Sequence, residues 1–263
     1  AAAGWQRSDG IDSFGAGGDR DGFENLAANL KAVHRRGPIE VGAVGHWIEG
    51  RSEYDGLDPV TFRRADTLDE TENRIGAVRG WVRGDWERWS VRAEAAYLDS
   101  SNRNRLNGDP LNSTFGDRLT LGGQVSRRFG GHALVAAVER QEENFRARDT
   151  SFFGGTDQDR SRSLTALVGE WRADWAGWLA TDIAVRHDSF SAFADATTLR
   201  AALLVRPANG WTLHAAYGEG IAQPTFYDLF GFFPGSFVGN PDLQPEHSTG
   251  WEAGIRFEEG PFS

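Results

Sequence analysis

Short and long connections alternate along this chain, and no other feature limits its fold so tightly. The short ones are Arg35-Arg36-Gly37-Pro38, Gly84-Asp85-Trp86-Glu87, Phe129-Gly130-Gly131-His132, Ala173-Asp174-Trp175-Ala176-Gly177 and Pro207-Ala208-Asn209-Gly210. Longer polar stretches fall at about 55–71, 102–115, 148–160, 190–196 and 221–247, and strand-like runs of about 10–15 residues join each to the next. An up-and-down meander sends successive connections to opposite edges of a sheet. Every short turn then lies on one edge and every long loop on the other. Outer-membrane barrels sort their loops in this way, whereas a soluble sandwich has no reason to do so.

The strands carry the matching pattern. Trp89, Val91, Ala93, Ala95 and Tyr97 alternate with Arg88, Ser90, Arg92, Glu94 and Ala96, and Trp251, Ala253, Ile255 and Phe257 alternate with Gly250, Glu252, Gly254, Arg256 and Glu258. Neighbouring strand residues point to opposite faces, so each run has one apolar and one polar or small face. Strands are expected near 23–34, 39–54, 71–83, 88–101, 116–129, 132–147, 161–173, 177–190, 196–206, 210–219 and 248–259. Those near 72–83, 133–147 and 161–173 alternate poorly and follow mainly from their place in the meander.

A half-buried soluble sheet alternates too, so the stripe ends matter. Trp89 and Tyr97 bound one apolar stripe, Trp211 and Tyr217 a second, Trp251 and Phe257 a third. Eight steps of ~3.3 Å tilted by ~45° span roughly 19 Å, against an apolar band of ~25 Å in such barrels. Aromatic rings favour that boundary, with one edge in lipid and the other wet. The expected fold class is therefore all-β, a transmembrane antiparallel up-and-down β-barrel, with Trp89, Tyr97, Leu121, Ile183, Leu203, Leu213, Trp251 and Ile255 facing lipid. Arg92, Glu94, Asp182, Arg186, Arg200, Glu252 and Arg256 would line the lumen.

Composition removes several alternatives. Mean hydropathy is −0.50, and no apolar run approaches the ~18 residues of a membrane helix. The absence of cysteine excludes disulfides, thiolate metal sites and cysteine nucleophiles. A formal net charge of −10 argues against a nucleic-acid partner. The six histidines, His34, His46, His132, His187, His214 and His247, lack metal-pair spacing. With no Gly-x-Ser-x-Gly or comparable nucleophile motif, an outer-membrane enzyme is not expected.

Two segments carry a family resemblance. Tyr217-Gly218-Glu219-Gly220-Ile221-Ala222-Gln223-Pro224 followed by Thr225-Phe226-Tyr227-Asp228-Leu229-Phe230-Gly231 resembles the "YGxGFxAPxxxxLYG" signature of TonB-dependent outer-membrane receptors. Gly239-Asn240-Pro241-Asp242-Leu243-Gln244-Pro245-Glu246-His247-Ser248, then Trp251-Glu252-Ala253-Gly254, resembles that family's "GNPxLxPExSxxxEaG". Ile221 replaces the usual phenylalanine, and Ala222-Gln223 the usual Lys-Ala. Read locally, Asn240-Pro241 starts a turn and Gln244-Pro245 stops a ladder, so these motifs shape a loop rather than perform chemistry.

The resemblance implies a roughly 22-stranded barrel plugged by an N-terminal domain, of which residues 1–263 would supply about eleven strands. The plug and the C-terminal strands are expected to lie outside this segment. The implied function is an active-transport receptor of the bacterial outer membrane, contacting the TonB complex through that plug and importing a scarce ligand. A passive porin or an adhesin-type barrel is the alternative, and a plug domain upstream of Ala1 would separate them.

A further resemblance, to the cobalamin-receptor branch, rests on Gly10-Ile11-Asp12-Ser13-Phe14, on Gly18-Asp19-Arg20-Asp21-Gly22-Phe23-Glu24-Asn25, and on Ser52-Glu53-Tyr54-Asp55-Gly56. In that branch acidic residues of two neighbouring external loops bind calcium and order the loops around cobalamin. The matching positions are Asp12, Asp19, Asp21, Tyr54, Asp55 and Asp66. A turn at 35–38 sets Asp19–Asp21 and Tyr54–Asp55 at the same edge of adjacent strands, and calcium takes six to eight oxygens. The plainer alternative is that Asp-Gly and Asp-Arg-Asp only make hydrated turns. Phe226, Tyr227, Phe230, Phe232, Phe233 and Phe237 crowd one external loop, where they either grip a flat or apolar ligand or pack on one another. Haem receptors usually carry a histidine between the "AP" and "NPxL" motifs. None lies between Pro224 and Asn240, so no haem is expected. The ligand expected is cobalamin or a ferric siderophore.

Overall fold

The computed structural model describes residues 1–15, 17–58, 60–150, 157–233 and 237–258, with 232, 233 and 237 described by backbone alone. Among these residues twelve strands form one antiparallel sheet, each pairing with the next sheet strand along the chain. They are β1 (Ala2–Ile11), β2 (Asp21–Arg36), β3 (Ile39–Tyr54), β4 (Asp69–Asp85), β5 (Trp89–Leu106), β6 (Asp109–Phe129), β7 (His132–Asp149), β8 (Gln158–Ala176), β9 (Leu179–Phe190), β10 (Ala196–Val205), β11 (Trp211–Ala222) and, at the far edge, β14 (Glu246–Phe257). Between β11 and β14 lie a five-residue helix, α1 (Phe226–Phe230), and a small hairpin of β12 (Phe232–Phe233) and β13 (Phe237–Val238).

Each residue of a cross-strand pair shares a face with its partner, so the register identifies the two faces. One row runs Trp89↔Arg127↔Leu134↔Trp171↔Ile183↔Ala201↔Tyr217↔Trp251. Trp89, Tyr97, Leu121, Ile183, Leu203, Leu213, Trp251 and Ile255 are all large apolar residues left exposed. Among the described residues only Leu164, Ala166, Ala173, Ala196 and Leu229 are buried and apolar. Two face-to-face sheets would hide these stripes in a shared core; this sheet presents them outward, as a lipid face does.

The other face is charged and internally paired. Arg79 and Arg92 both reach Glu94, at 2.5 and 2.7 Å. Arg186 bonds Asp188 at 2.7 Å and Glu139 at 3.4 Å, and Arg172 bridges Glu170 and Asp182. Trp81 donates its indole N–H to Glu40 at 2.8 Å. Some of these pairs cross strands and others join residues two apart in one strand. The exposed ones contribute ~0–1 kcal/mol each, while Asp188 is buried, and their main effect is to hold side chains along the wall. At the short-turn edge aromatic rings cluster: Trp171 and Trp175 lie 5.2 Å apart, and Trp211 and Phe257 4.6 Å.

The structure differs from the sequence expectation in two places. It has twelve sheet strands rather than eleven, because Ala2–Ile11 pairs along β2. The stretch 102–115 is no long loop. β5 and β6 run on to a two-residue turn at Asn107-Gly108, whose φ values of 50° and 85° suit the primed turn that matches strand twist. The extension pairs Asn73 with Asn102, and Asn104 with both Asn102 and Asn112, through side-chain amides. The remaining long connections, at 12–20, 55–68, 150–157, 191–195 and 223–245, stay on one edge, and every opposite connection is short.

Candidate functional site

Two clusters stand at the long-loop edge. The first joins the β1–β2 and β3–β4 loops, which the β2–β3 hairpin holds side by side. Carboxylate oxygens of Asp19, Asp55 and Asp66 lie within 4.8 Å of one another. Hydrogen bonds lock the supporting backbone: Asp55 accepts from Thr67 N–H at 3.1 Å and from the Ser13 hydroxyl at 2.9 Å. Asp66 accepts from Asp19 N–H at 3.3 Å. Gly18 lets Asp66 approach, because a Cβ there would stand 2.7–2.9 Å from its carboxylate. Gly56 gives its N–H to Thr67 Oγ1 at 2.8 Å, and the buried Asp69 carboxylate fills the space where a Cβ would point.

Charge makes this cluster costly as it stands. The Asp19 carboxyl is raised above the usual aspartate range, first by a hydrogen bond shared with Asp66, then by desolvation and by the charges of Asp66 and Asp21. Both carboxylate oxygens of Asp21 are buried and have no hydrogen-bond partner among the described residues. Orphaned carboxylate oxygens of this kind call for compensation. A hard divalent cation such as calcium, which takes carboxylate oxygens from adjacent loops, fits this donor set.

The other expected members differ in role. Asp12 accepts backbone N–H groups from Gly15 at 2.7 Å, Gly18 at 2.8 Å and Phe14 at 3.1 Å. The Gly15 bond above all holds its carboxyl below the usual range, and Asp12 thereby shapes the loop. Tyr54 ends β3 opposite Asp69, with its side chain exposed. Sequence reasoning missed Asp69 and Asp58. Asp58 ties the 58–61 turn by accepting from Val60 N–H, Thr61 N–H and the Thr61 hydroxyl.

The second cluster is the aromatic loop laid on the inner wall. Thr225 and Asp228 form a reciprocal capping box at the start of α1, the Thr-x-x-acid pattern that marks a helix start. Phe226 stacks on Phe145 with ring centroids 5.4 Å apart, and Arg162 sits 4.5 Å over its ring. Arg160 covers Phe230 at 4.5 Å. Arg162 also donates to the Pro224 carbonyl at 2.6 Å and pairs with Glu143 at 2.5 Å, while Arg118 holds the same glutamate from the other side. Asn240 N–H returns to the Asp228 carbonyl at 2.9 Å, so the Asn-Pro motif clamps the loop's second half onto α1. Leu229 is buried and Tyr227 exposed. The side chains of Phe232, Phe233 and Phe237 lie outside the described residues. Only the capping box had a local signal, because the arginines stand on strands far away in sequence.

A family profile described as "TonB dependent receptor-like, beta-barrel" matches residues 3–263. The chain belongs to this TonB-dependent receptor family. A stretch of 126 residues, 47% of the chain, is 31% identical to the vitamin B12 transporter BtuB of Vibrio vulnificus (strain YJ016) and covers 19% of that protein. The siderophore receptor PirA from Acinetobacter baumannii superposes with a TM-score of 0.72 at 16% identity, over 97% of this chain and 44% of that one. The ferric enterobactin receptor PfeA from Pseudomonas aeruginosa gives 0.70 at 16% identity, over 91% of this chain and 41% of that one. The sheet is thus a TonB-dependent receptor barrel wall, and the chain spans less than half the length of the receptors it resembles. The family is one of transport receptors.

Proposed function

We propose that this chain is the barrel portion of a bacterial outer-membrane uptake receptor. It binds a corrinoid of the cobalamin type at its long-loop mouth, with calcium ordering the loops and the TonB complex energising import through a plug domain. The observation that carries the reading is the convergence of Asp19, Asp55 and Asp66 from two loops beside the unpartnered carboxylate of Asp21. Similarity to a vitamin B12 transporter over 126 residues supports the same ligand class. Asp19, Asp21, Asp55 and Asp66 would supply carboxylate oxygens, Tyr54 its backbone carbonyl, and Asp12 the loop shape. Calcium would neutralise their mutual repulsion. The loops would then be ordered before the ligand arrives, which lowers the cost of binding.

A second ligand class has its own support. Arg118 and Arg162 flank Glu143 on the inner wall, where Arg162 also lies over Phe226 and Arg160 over Phe230. That surface suits an anionic aromatic chelate such as a ferric siderophore. Calorimetry on the full-length receptor separates the two. Cobalamin affinity that falls when calcium is chelated supports the corrinoid reading. Ferric-siderophore binding indifferent to chelator supports the second and removes the first. A passive porin would bind neither.

A further inference from the structure

The inner wall of β2–β6 carries a belt of amides that the acidic corner does not use. Register places Asn25, Gly50, Asn73, Asn102 and Thr114 in one row across these strands. Ser52, Thr71, Asn104 and Asn112 form the next row toward the long-loop edge, across β3–β6. Both rows share the inward face of Trp81 and Glu94, and across these strands neither holds a charged side chain. Asp69 lies just above the belt, two residues from Thr71 on the same face of β4. One row deeper Ile48 pairs with Ile75, which is exposed to the lumen.

Side-chain hydrogen bonds run through the belt with one polarity. Thr71 donates its hydroxyl to the Asn104 carbonyl at 2.7 Å, and Asn104 gives amide hydrogens to Asn102 and Asn112, each at 2.7 Å. Asn102 donates in turn to Asn73 at 2.8 Å. Each of the four asparagine carbonyls in this chain of bonds therefore accepts one. An asparagine amide has two hydrogens, so two on Asn73, two on Asn112 and one on Asn102 stay unspent among the described residues. The surface gives hydrogen bonds rather than taking them.

The belt is also tied to the acidic corner. Asn107 N–H donates to Asp69 at 2.7 Å and Gly108 N–H to the Leu68 carbonyl at 2.9 Å, while Thr67 N–H reaches Asp55 at 3.1 Å. The β5–β6 hairpin that carries Asn102, Asn104 and Asn112 thus hangs from segment 67–69, the same segment that braces Asp55.

We propose that this amide belt is a recognition subsite for neutral acceptor oxygens, the amide carbonyls that fringe a corrinoid ring. The inference rests on the corrinoid reading above and adds the stretch of wall that grips the ligand. The spare N–H groups of Asn73 and Asn112 bond the ring's amide carbonyls, and Ile48 and Ile75 meet its apolar edge. An anionic chelate gains less here, because no cation stands in the belt and the Asp69 carboxylate lies just above it.

The test measures cyanocobalamin binding to the full-length receptor in calcium by calorimetry. Asn73→Ala with Asn112→Ala removes the spare donors without adding charge, and the loss of two hydrogen bonds should weaken binding about thirtyfold. Asn73→Asp with Asn112→Asp keeps the oxygens that accept from Asn102 and Asn104 but puts anionic oxygens where the spare hydrogens were. It should weaken binding further, with amide exchange along 102–112 unchanged. Unchanged affinity in the alanine variant overturns the proposal and leaves the corrinoid reading standing. So does affinity lost by the aspartate variant together with faster exchange along 102–112, because the ladder is then only a strut. If the unaltered receptor does not bind cyanocobalamin, the corrinoid reading falls and this inference with it. If the aspartate variant fails to show the heat-modifiable mobility of a folded barrel, the alanine variant decides by itself.

Discussion

The acidic corner and the aromatic corner sit on the same edge of one sheet and are built on opposite principles. In the aromatic corner the strong groups among the described residues have complements. Thr225 and Asp228 cap each other, Arg162 covers Phe226 and bonds the Pro224 carbonyl, and Glu143 lies between two arginines. In the acidic corner the backbone is equally well tied, but three carboxylates face one another and a fourth has no hydrogen-bond partner among the described residues. Loop shape and charge balance are separate requirements. The aromatic loop satisfies both within the chain, whereas the acidic loops satisfy the first and leave the second to a cation.

The contrast breaks hardest at Arg162. Arg162→Ala takes one cation from Glu143, uncovers Phe226 and frees the Pro224 carbonyl. It should lower the local stability of segment 223–231 by about 2 kcal/mol, read as faster amide exchange there with no change at 12–21. Thr225→Ala removes only the cap and should cost about 1 kcal/mol in the same segment. In the acidic corner the sign reverses. Asp66→Asn removes a charge from the cluster, so in chelator it should slow exchange of the 12–21 and 55–66 loops, while weakening whatever ordering calcium produces. Loss of order in chelator would mean that the carboxylates are not in conflict.

Acid separates the corners by the sign of their titrations. The raised Asp19 carboxyl gives the cation-free loops stability that is present at low pH and lost as pH rises through its raised value. Asp228 is lowered, chiefly by the Thr225 hydroxyl. Its contribution is present above the ordinary carboxylate value and lost as pH falls through the lowered one. Acidifying the calcium-free receptor should therefore tighten loop 12–21 first and loosen 223–231 only at lower pH. Exchange measured along a pH series, corrected for intrinsic rates, checks that order.

Most of the wall was legible because alternation and turn placement are local. Eleven strands and the eight lipid-facing residues followed from them. β1 was missed because Ala1-Ala2-Ala3-Gly4 has no alternation to read. The β5–β6 extension reads as a loop in the sequence because both of its faces are polar beyond the membrane band, although Asn107-Gly108 is a strong turn signal. In the site, hairpin geometry puts Asp19 and Asp55 at one edge of adjacent strands, whereas Asp66 is reachable from the sequence only through the family resemblance. Asp12's preference for backbone N–H groups depends on loop coordinates. The pairing of Arg162 with Pro224, 62 residues apart, depends on how the loop folds back over the wall.

Hydrogen exchange of the full-length receptor with calcium and with chelator tests the difference between the corners most directly. Calcium should protect peptides covering 12–21 and 55–66 and leave 223–231 unchanged, and Asp19→Asn with Asp21→Asn should abolish that protection while the barrel stays folded. Identical exchange at 12–21 and 55–66 in both conditions, or equal protection of all three segments, would contradict the account.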